Sequence, residues 1–299
     1  MVYININELK VGDILSEDLY NDNGAVLLRN GTKLTTFAIE RLKLLGINSL
    51  YVEGEIDNDI KVQSLMPNSF KNRIASNLKT ISISSTVYNA KNVVSYVLEA
   101  FKLNNVSLDY MENRTDETYL FQHSIAVAEI AVIIGKALNL EEETLEDLAT
   151  SALLHDIGKL VSRKDLVKQL EMKLDDKDEN FLYKIHPFLG YSYLYNFPEI
   201  KATVKNGILF HHINENLQGF PDAIAPQKRK PYIFAKIIQI ADAYDNARHF
   251  NGTNNPALAL EHLKSGCDTL FNRTIVESFL EYAPVFPGSL SNSVGETKN

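Results

Sequence analysis

The sequence predicts a mainly α protein, an all-helical domain over residues 110–285 preceded by a small α/β unit over residues 1–54. Three observations carry that expectation. From about Asn89 onward nearly every periodic segment repeats its apolar residues at helical spacing. Residues 1–54 combine a turn signal, strand-like runs and one short helical pattern. The chain has 299 residues, 45% hydrophobic and 23% charged, which is ordinary for a globular protein able to bury one large or two smaller cores.

The elements can be justified in order. Asn21-Asp22-Asn23-Gly24 is a turn signal, and Ala25-Val26-Leu27-Leu28 after it reads as a strand. Thr35 to Leu45 places Phe37, Ile39, Leu42 and Leu45 on a helical pattern that stops at Gly46, a residue suited to the position after a helix end. Ile47 to Val52 alternates like a half-buried strand. Residues 55–109 open polar, carry Pro67, and are expected to be a linker with connecting helices. Residues 286–299 are rich in Ser, Asn and Gly and are expected to be a disordered tail.

Charge and cysteine content narrow the function classes. Lys+Arg 30 against Asp+Glu 38 leaves a net charge of −8, which argues against gripping long nucleic acid by its backbone charge. A local cationic site can still take a small anion. The single cysteine, Cys267, excludes an internal disulfide or a thiolate metal cage and fits a reducing compartment. Glu8, Lys10 and Asp13 interrupt any export-signal pattern at the N-terminus. The most apolar run, Ile125 to Ile134, contains Glu129 and is short for a bilayer span. A cytoplasmic protein with no membrane or nucleic-acid-polymer partner is expected.

Five of the seven histidines fall on apolar stripes of the second half. His123 shares a helical face with Leu120, Val127, Ile130 and Ile134. His155 follows Leu148 by seven, Asp156 follows Ala149 by seven, and Lys159 falls on the same side of the expected helix. His211 follows Val204 by seven, His212 follows Ile208 by four, and Asp242 follows Ile238 by four. His186 precedes Pro187, which suggests a helix starting there and an imidazole kept neutral by its N-terminus. A lone histidine on an apolar face is ordinarily a hydrogen-bonded core residue. Several buried imidazoles and two carboxylates in one domain need a common partner, because each unsatisfied polar group costs roughly 1–3 kcal/mol. A pair of divalent cations, iron, manganese or zinc, is that partner.

His123, His155-Asp156-Ile157-Gly158-Lys159, His186-Pro187-Phe188-Leu189-Gly190, His211-His212 and Ile240-Ala241-Asp242-Ala243-Tyr244-Asp245 resemble the motifs of HD-GYP domains. These are bacterial metal-dependent phosphohydrolases of the HD superfamily that cleave cyclic di-GMP. The five motifs occur in the family's order and approximate spacing. The resemblance implies that His123, His155, Asp156 and Asp242 surround one metal, Asp156 bridging to a second that His186, His211 and His212 complete. It implies two metal ions, iron or manganese with zinc as an alternative. It also implies catalytic roles for Asp156 and for Lys159, the latter beside the attacked phosphate. A cation-activated water would then open a cyclic dinucleotide to the linear form. Residues 1–54 are similar to a small module often fused ahead of such domains, expected to regulate or to pair with a second copy or a signalling partner.

The sequence also departs from the family. Its signature loop, approximately H-H-E-x-x-D-G-x-G-Y-P, here runs from His211 to Pro221 with Gly219 and Pro221 kept. Ile213 stands for Glu, Asn216-Leu217 for Asp-Gly, and Phe220 for Tyr, which keeps a stacking face and loses a hydroxyl. Leu217 lacks glycine's access to positive φ, so a different loop path is expected. The basic residues that usually follow the aspartate motif are absent. Lys236, Arg248 or the run Lys228-Arg229-Lys230 are the candidate phosphate partners, the run reading more readily as a solvated surface patch. Gly219, Phe220 and Pro221 complete the expected substrate contacts. Three-metal members carry Glu four residues before the first histidine; Tyr119 stands there, so two metals are expected. Two further readings stay open, a phosphohydrolase for another nucleotide and a weakly active nucleotide-binding signalling module.

Overall fold

The computed structural model describes residues 2–21, 25–47, 49–53, 95, 119–160, 179–221, 231–248 and 256–282. The first elements are β1 (Val2–Asn5), β2 (Leu19–Tyr20), β3 (Val26–Leu28), α1 (Thr36–Leu44) and β4 (Ser49–Val52). Strand β1 pairs antiparallel with β4 from Val2↔Val52 to Asn5↔Ser49, and β2 pairs antiparallel with β3. The sequence pattern brought out β3, α1 and β4; β1 escaped it because its partner β4 lies far along the chain, and β2 because it is only two residues long. Asp22, Asn23 and Gly24 of the expected turn lie outside the described residues, but Asn21 and Ala25 on either side exchange hydrogen bonds of 2.8 Å. Thr35 Oγ1 caps α1 by accepting from the Ala38 N–H, and Gly46 takes φ 72° after the helix. Leu15, Leu19, Leu34, Leu42, Leu50 and Val52 fill a small core of their own.

The second set is helical: α2 (Tyr119–Ala137), α3 (Glu142–Leu153), a 3-10 turn (Ile157–Leu160), α4 (Glu179–Leu194), α5 (Ala202–Phe210), α6 (Ile233–Arg248), α7 (Pro256–Ser265) and α8 (Arg273–Tyr282). Helix α2 packs on α3 and α6, α5 packs on α3, α4 and α6, and the 3-10 turn lies against α4. Helix α2 is apolar along most of its length, longer than the expected Ile125–Ile134 run and long enough by composition to cross a membrane. Its surface is instead spent on the core, where Ile125, Val127, Ile130 and Ile134 are at most 1% exposed. Glycines permit two of the close approaches. A Cβ on Gly158 would fall 2.0 Å from the His186 carbonyl oxygen, so only glycine lets the 3-10 turn reach α4. Gly190 meets Ile157 and Ile208 from the α4 side of the same contact. The expected linker (apart from Ser95) and the tail lie outside the described residues.

Candidate metal centre

His155 and Asp156 do not lie on a helical face. Helix α3 ends at Leu153, and the two residues occupy the turn that leads into the 3-10 segment. A helix end leaves its last carbonyls without main-chain donors. At the end of α3 the Ala152 carbonyl keeps only the Leu154 cap contact and a long bond of 3.4 Å from the His155 N–H, and His155 Nδ1 donates to it at 2.7 Å. His211 repeats the arrangement at the end of α5, its Nδ1 donating to the Ile208 carbonyl at 2.7 Å. With Nδ1 protonated by these partners, Nε2 is left bare. His186 also differs from expectation. Helix α4 starts upstream at Glu179 and Pro187 sits inside it, so no helix N-terminus faces that imidazole. Its Nδ1 donates to the Tyr183 carbonyl at 2.5 Å.

The seven expected ligands converge. His123, His155 and Asp156 form one group of close donor atoms, and His186, His211 and His212 form another. Asp242 joins the first, its Oδ1 3.0 Å from His123 Nε2 and 3.9 Å from His155 Nε2. Asp156 faces both groups. Its Oδ2 lies 3.4 Å from His155 Nε2 and 3.8 Å from His123 Nε2, while its Oδ1 lies 3.0 Å from His186 Nε2. All but His212 are buried, Asp242 being the most open of them at 9% exposed.

Electrostatics sets the protonation of these groups. Burial pushes His211 well below its usual pKa, with His212, His155 and His186 adding to the shift. Burial likewise lowers His155 and brings His212 down to about 3. His123 behaves oppositely: burial pulls it down, but hydrogen bonds to Asp242 and Asp245 outweigh this and raise it to about 9. Burial would raise Asp156, yet His155, His186 and Lys159 hold it well below the usual carboxylate range. Asp242 is lowered too, the His123 contacts prevailing over burial. The bare imidazoles of His155, His211 and His212 and the ionised carboxylates of Asp156 and Asp242 are the donor states a divalent cation needs, whereas His123 has to give up a proton to bind one.

Whether the residues fit such cations can be judged from their lone pairs. His186 and His211 both commit Nδ1–H to carbonyls, and their Nε2 atoms face each other at 3.2 Å. A carboxylate oxygen faces the first of them at 3.0 Å. Atoms that close need a proton or a cation among them, and one divalent cation can serve all three at once. Two ligands about 2.1 Å from one ion at a near-right angle stand about 3 Å apart. Buried His155 Nε2, Asp156 Oδ1 and His212 Nε2 also have no hydrogen-bond partner. The set fits a pair of divalent cations, and its lack of thiolate favours metals that accept imidazole and carboxylate.

The remaining expected residues divide. Lys159 lies at the site, its Nζ 2.5 Å from Asp156 Oδ2 and its side chain 34% exposed. Phe220 stacks on His212 with ring centroids 4.3 Å apart, and Gly219 takes φ 121° where a Cβ would strike the His212 carbonyl. Pro221 is buried behind Phe220 at the end of the described loop. Leu217 adopts φ 65° itself, so the loop keeps a left-handed turn despite losing glycine, at a strain of about 1–3 kcal/mol. Main-chain bonds from Glu215 to Leu270 and from Asn216 to Thr269 hold it there. The phosphate roles expected of Lys236 and Arg248 meet obstacles. Lys236 is tied to Glu215 at 2.5 Å, pinning the loop to α6, and Arg248 is 5% exposed. Lys228, Arg229, Lys230 and His249 lie outside the described residues, and His262 packs on Phe271 away from both groups.

Several site residues escaped the sequence reading. Asp245, fully buried, accepts from His123 Nδ1 at 2.7 Å and so orients that imidazole. The signal was present in the Asp242-x-x-Asp245 spacing, one helical turn on α6. Asn246 donates to Asp242 Oδ1 at 2.7 Å and accepts from Tyr119 OH at 3.3 Å. The Tyr119 ring lies parallel to His123 at 5.8 Å. Tyr183, half exposed, stands 5.3 Å from Phe220 and beneath Lys159 Nζ at 5.7 Å. Asp245→Asn should weaken Mn²⁺ binding at the His123 group about 10–100-fold, as expected for an outer-shell carboxylate. Calorimetric titration of the folded variant checks this, and wild-type affinity would remove Asp245 from the site.

Comparison with known proteins agrees with this arrangement. Residues 120–247 match the HD domain family. The chain is 24% identical over 186 residues to cyclic di-GMP phosphodiesterase PA4108 of Pseudomonas aeruginosa, covering 61% of this chain and 44% of that protein. It is 27% identical over 161 residues to the cyclic di-GMP phosphodiesterase response regulator RpfG of Xanthomonas campestris pv. campestris, covering 52% and 41%. The chain thus spans less than half the length of these curated relatives. In fold it is similar to Bd1817, described as an HDG"Y"P protein from Bdellovibrio bacteriovorus, with a TM-score of 0.56 at 18% identity over 94% of this chain and 98% of that one.

Proposed function

We propose that this chain, whose residues 120–247 match the HD domain family and whose motifs are HD-GYP-like, is a metal-dependent phosphodiesterase opening a cyclic dinucleotide, cyclic di-GMP first, to the linear form. The observation that carries the reading is Asp156, whose two oxygens address two separate groups of histidines. His123, His155, Asp156 and Asp242 would hold one divalent cation, and Asp156 with His186, His211 and His212 the other. When bound, such cations supply the charge that lets water attack a phosphodiester anion. The chain's own residues do the rest. Asp245 and the carbonyls of Ala152, Tyr183 and Ile208 orient the imidazoles. Lys159 stays cationic because Asp156 outweighs the effect of burial, and its partly exposed ammonium can take a phosphate oxygen. Tyr183 and Phe220 offer aromatic faces on which a base can stack. Residues 1–54 we assign a regulatory or pairing role, which the exposed Phe37 and Leu44 on α1 support.

Metal number and substrate are tested together. Metal analysis of anaerobically purified protein should give two ions per chain, because Tyr119 offers a neutral phenol where a third ion needs a carboxylate. Three tightly bound ions would refute this. Turnover of a nucleotide panel with Mn²⁺ or Fe²⁺ should show cyclic di-GMP opened to the linear dinucleotide. The engagement of Lys236 and the burial of Arg248 favour a second reading, a phosphohydrolase for another nucleotide or a weakly active binding module. Preferential turnover of another nucleotide, or binding without turnover, would select it.

A further inference from the structure

We propose that Pro187 is a positioning residue for His186: by lacking an N–H it leaves the Tyr183 carbonyl to the imidazole Nδ1–H, and so aims the Nε2 lone pair at the second histidine group. The inference rests on the metal-holding reading of that group.

Three buried histidines make the same bond, from Nδ1 to the carbonyl three residues earlier: His155 to Ala152, His211 to Ile208 and His186 to Tyr183. For the first two the acceptor is ordinary, because both histidines stand just past helix ends, where the last carbonyls lack the N–H four residues ahead and Ala152 keeps only a long bond of 3.4 Å from the His155 N–H and the cap contact of Leu154. His186 is different. It lies inside α4, which runs on to Leu194, and interior carbonyls are committed to the N–H four residues ahead. Four residues after Tyr183 stands Pro187, which has no N–H to give. Its ring also crowds the carbonyl four residues back. The mid-helix proline therefore recreates locally what a helix end provides for His155 and His211. With Nδ1 so engaged, Nε2 lies 3.0 Å from Asp156 Oδ1 and 3.2 Å from His211 Nε2.

The proposal separates metal binding from helix stability. Pro187→Ala restores a main-chain donor to Tyr183 O and inserts a far better helix former. The variant should melt at the wild-type temperature or above while binding Mn²⁺ about 10–100-fold more weakly. In metal-free, ¹⁵N-histidine-labelled full-length protein, nuclear magnetic resonance should place the wild-type His186 proton on Nδ1. Pro187→Ala should move part of it to Nε2 and leave His155 and His211 unchanged. A wild-type His186 protonated on Nε2 would overturn the proposal. So would a folded Pro187→Ala protein with wild-type tautomer and Mn²⁺ affinity. If that variant does not fold, the wild-type tautomer alone decides. If the wild type binds no Mn²⁺, the metal reading falls, and the tautomer comparison still decides what Pro187 does to His186.

Discussion

Asp156→Ala is expected to abolish two-metal occupancy and to lower turnover by on the order of 10³-fold, the scale seen when one preorganised electrostatic contact is removed from a reaction centre. The carboxylate is 1% exposed and touches both histidine groups as well as Lys159. No neighbour can take over both oxygens, since the Asp242 carboxylate is held by His123 and Asn246. Removing Asp156 also withdraws the partner of the Lys159 ammonium, so the cation at the mouth loses its fixed position. Circular dichroism should show the fold retained, because the core of α2, α3, α5 and α6 packs independently of this side chain. Metal analysis and turnover of cyclic di-GMP by the variant are the measurements. Two bound ions with undiminished turnover would exclude the bridging role and with it the proposed mechanism.

The second large effect concerns substrate affinity. The loop tyrosine is replaced by Phe220, and the basic anchor that follows the aspartate motif in the resembled family is missing. Of its candidate substitutes, Lys236 is engaged with Glu215 and Arg248 is buried. Charge-assisted contacts contribute roughly 1.5–3 kcal/mol each, so two lost contacts should weaken cyclic di-GMP binding about 100-fold or more relative to a chain that keeps both. Hydrolysis is expected to be slow and to stop mainly at the linear dinucleotide. Phe220→Tyr should restore affinity only modestly. The phenol would enter a cluster of His212, Tyr183 and Phe220 rings, but the basic anchor would still be absent. Calorimetry and product chromatography on the same preparations check this. Tight binding with rapid conversion to mononucleotides would show that other residues replace the anchors.

The ligand set was legible in the sequence because it rests on residue type and on spacing within single motifs. His123, His155, Asp156, His186, His211, His212 and Asp242 all lie in those motifs, and they meet in one place. The second-half helices were equally plain, since a buried stripe such as Ile125 to Ile134 leaves its period in the chain. What the one-dimensional pattern misjudged were helix ends. His155 and Asp156 keep helical spacing to α3 yet stand beyond it, and Pro187 reads as a helix start yet sits within α4. Spacing cannot distinguish a continuing helix from a turn that preserves its direction, nor show that the carbonyl stranded by Pro187 is taken up by the His186 side chain of the same helix. Leu217 shows the same limit, because main-chain bonds to Leu270 and Thr269 hold a left-handed turn that its side chain disfavours. The sequence by itself determined which atoms could bind a cation and roughly which elements carry them. Only the tertiary structure decided how those atoms are aimed, through Asp245 and three backbone carbonyls, and that Lys236 and Arg248 are held elsewhere. The physical reason is that the aim depends on where each helix ends or loses a donor, which frees the carbonyl three residues back, and on distant partners such as Asp245 for His123 and Glu215 for Lys236, whose contacts form only once the helices have packed.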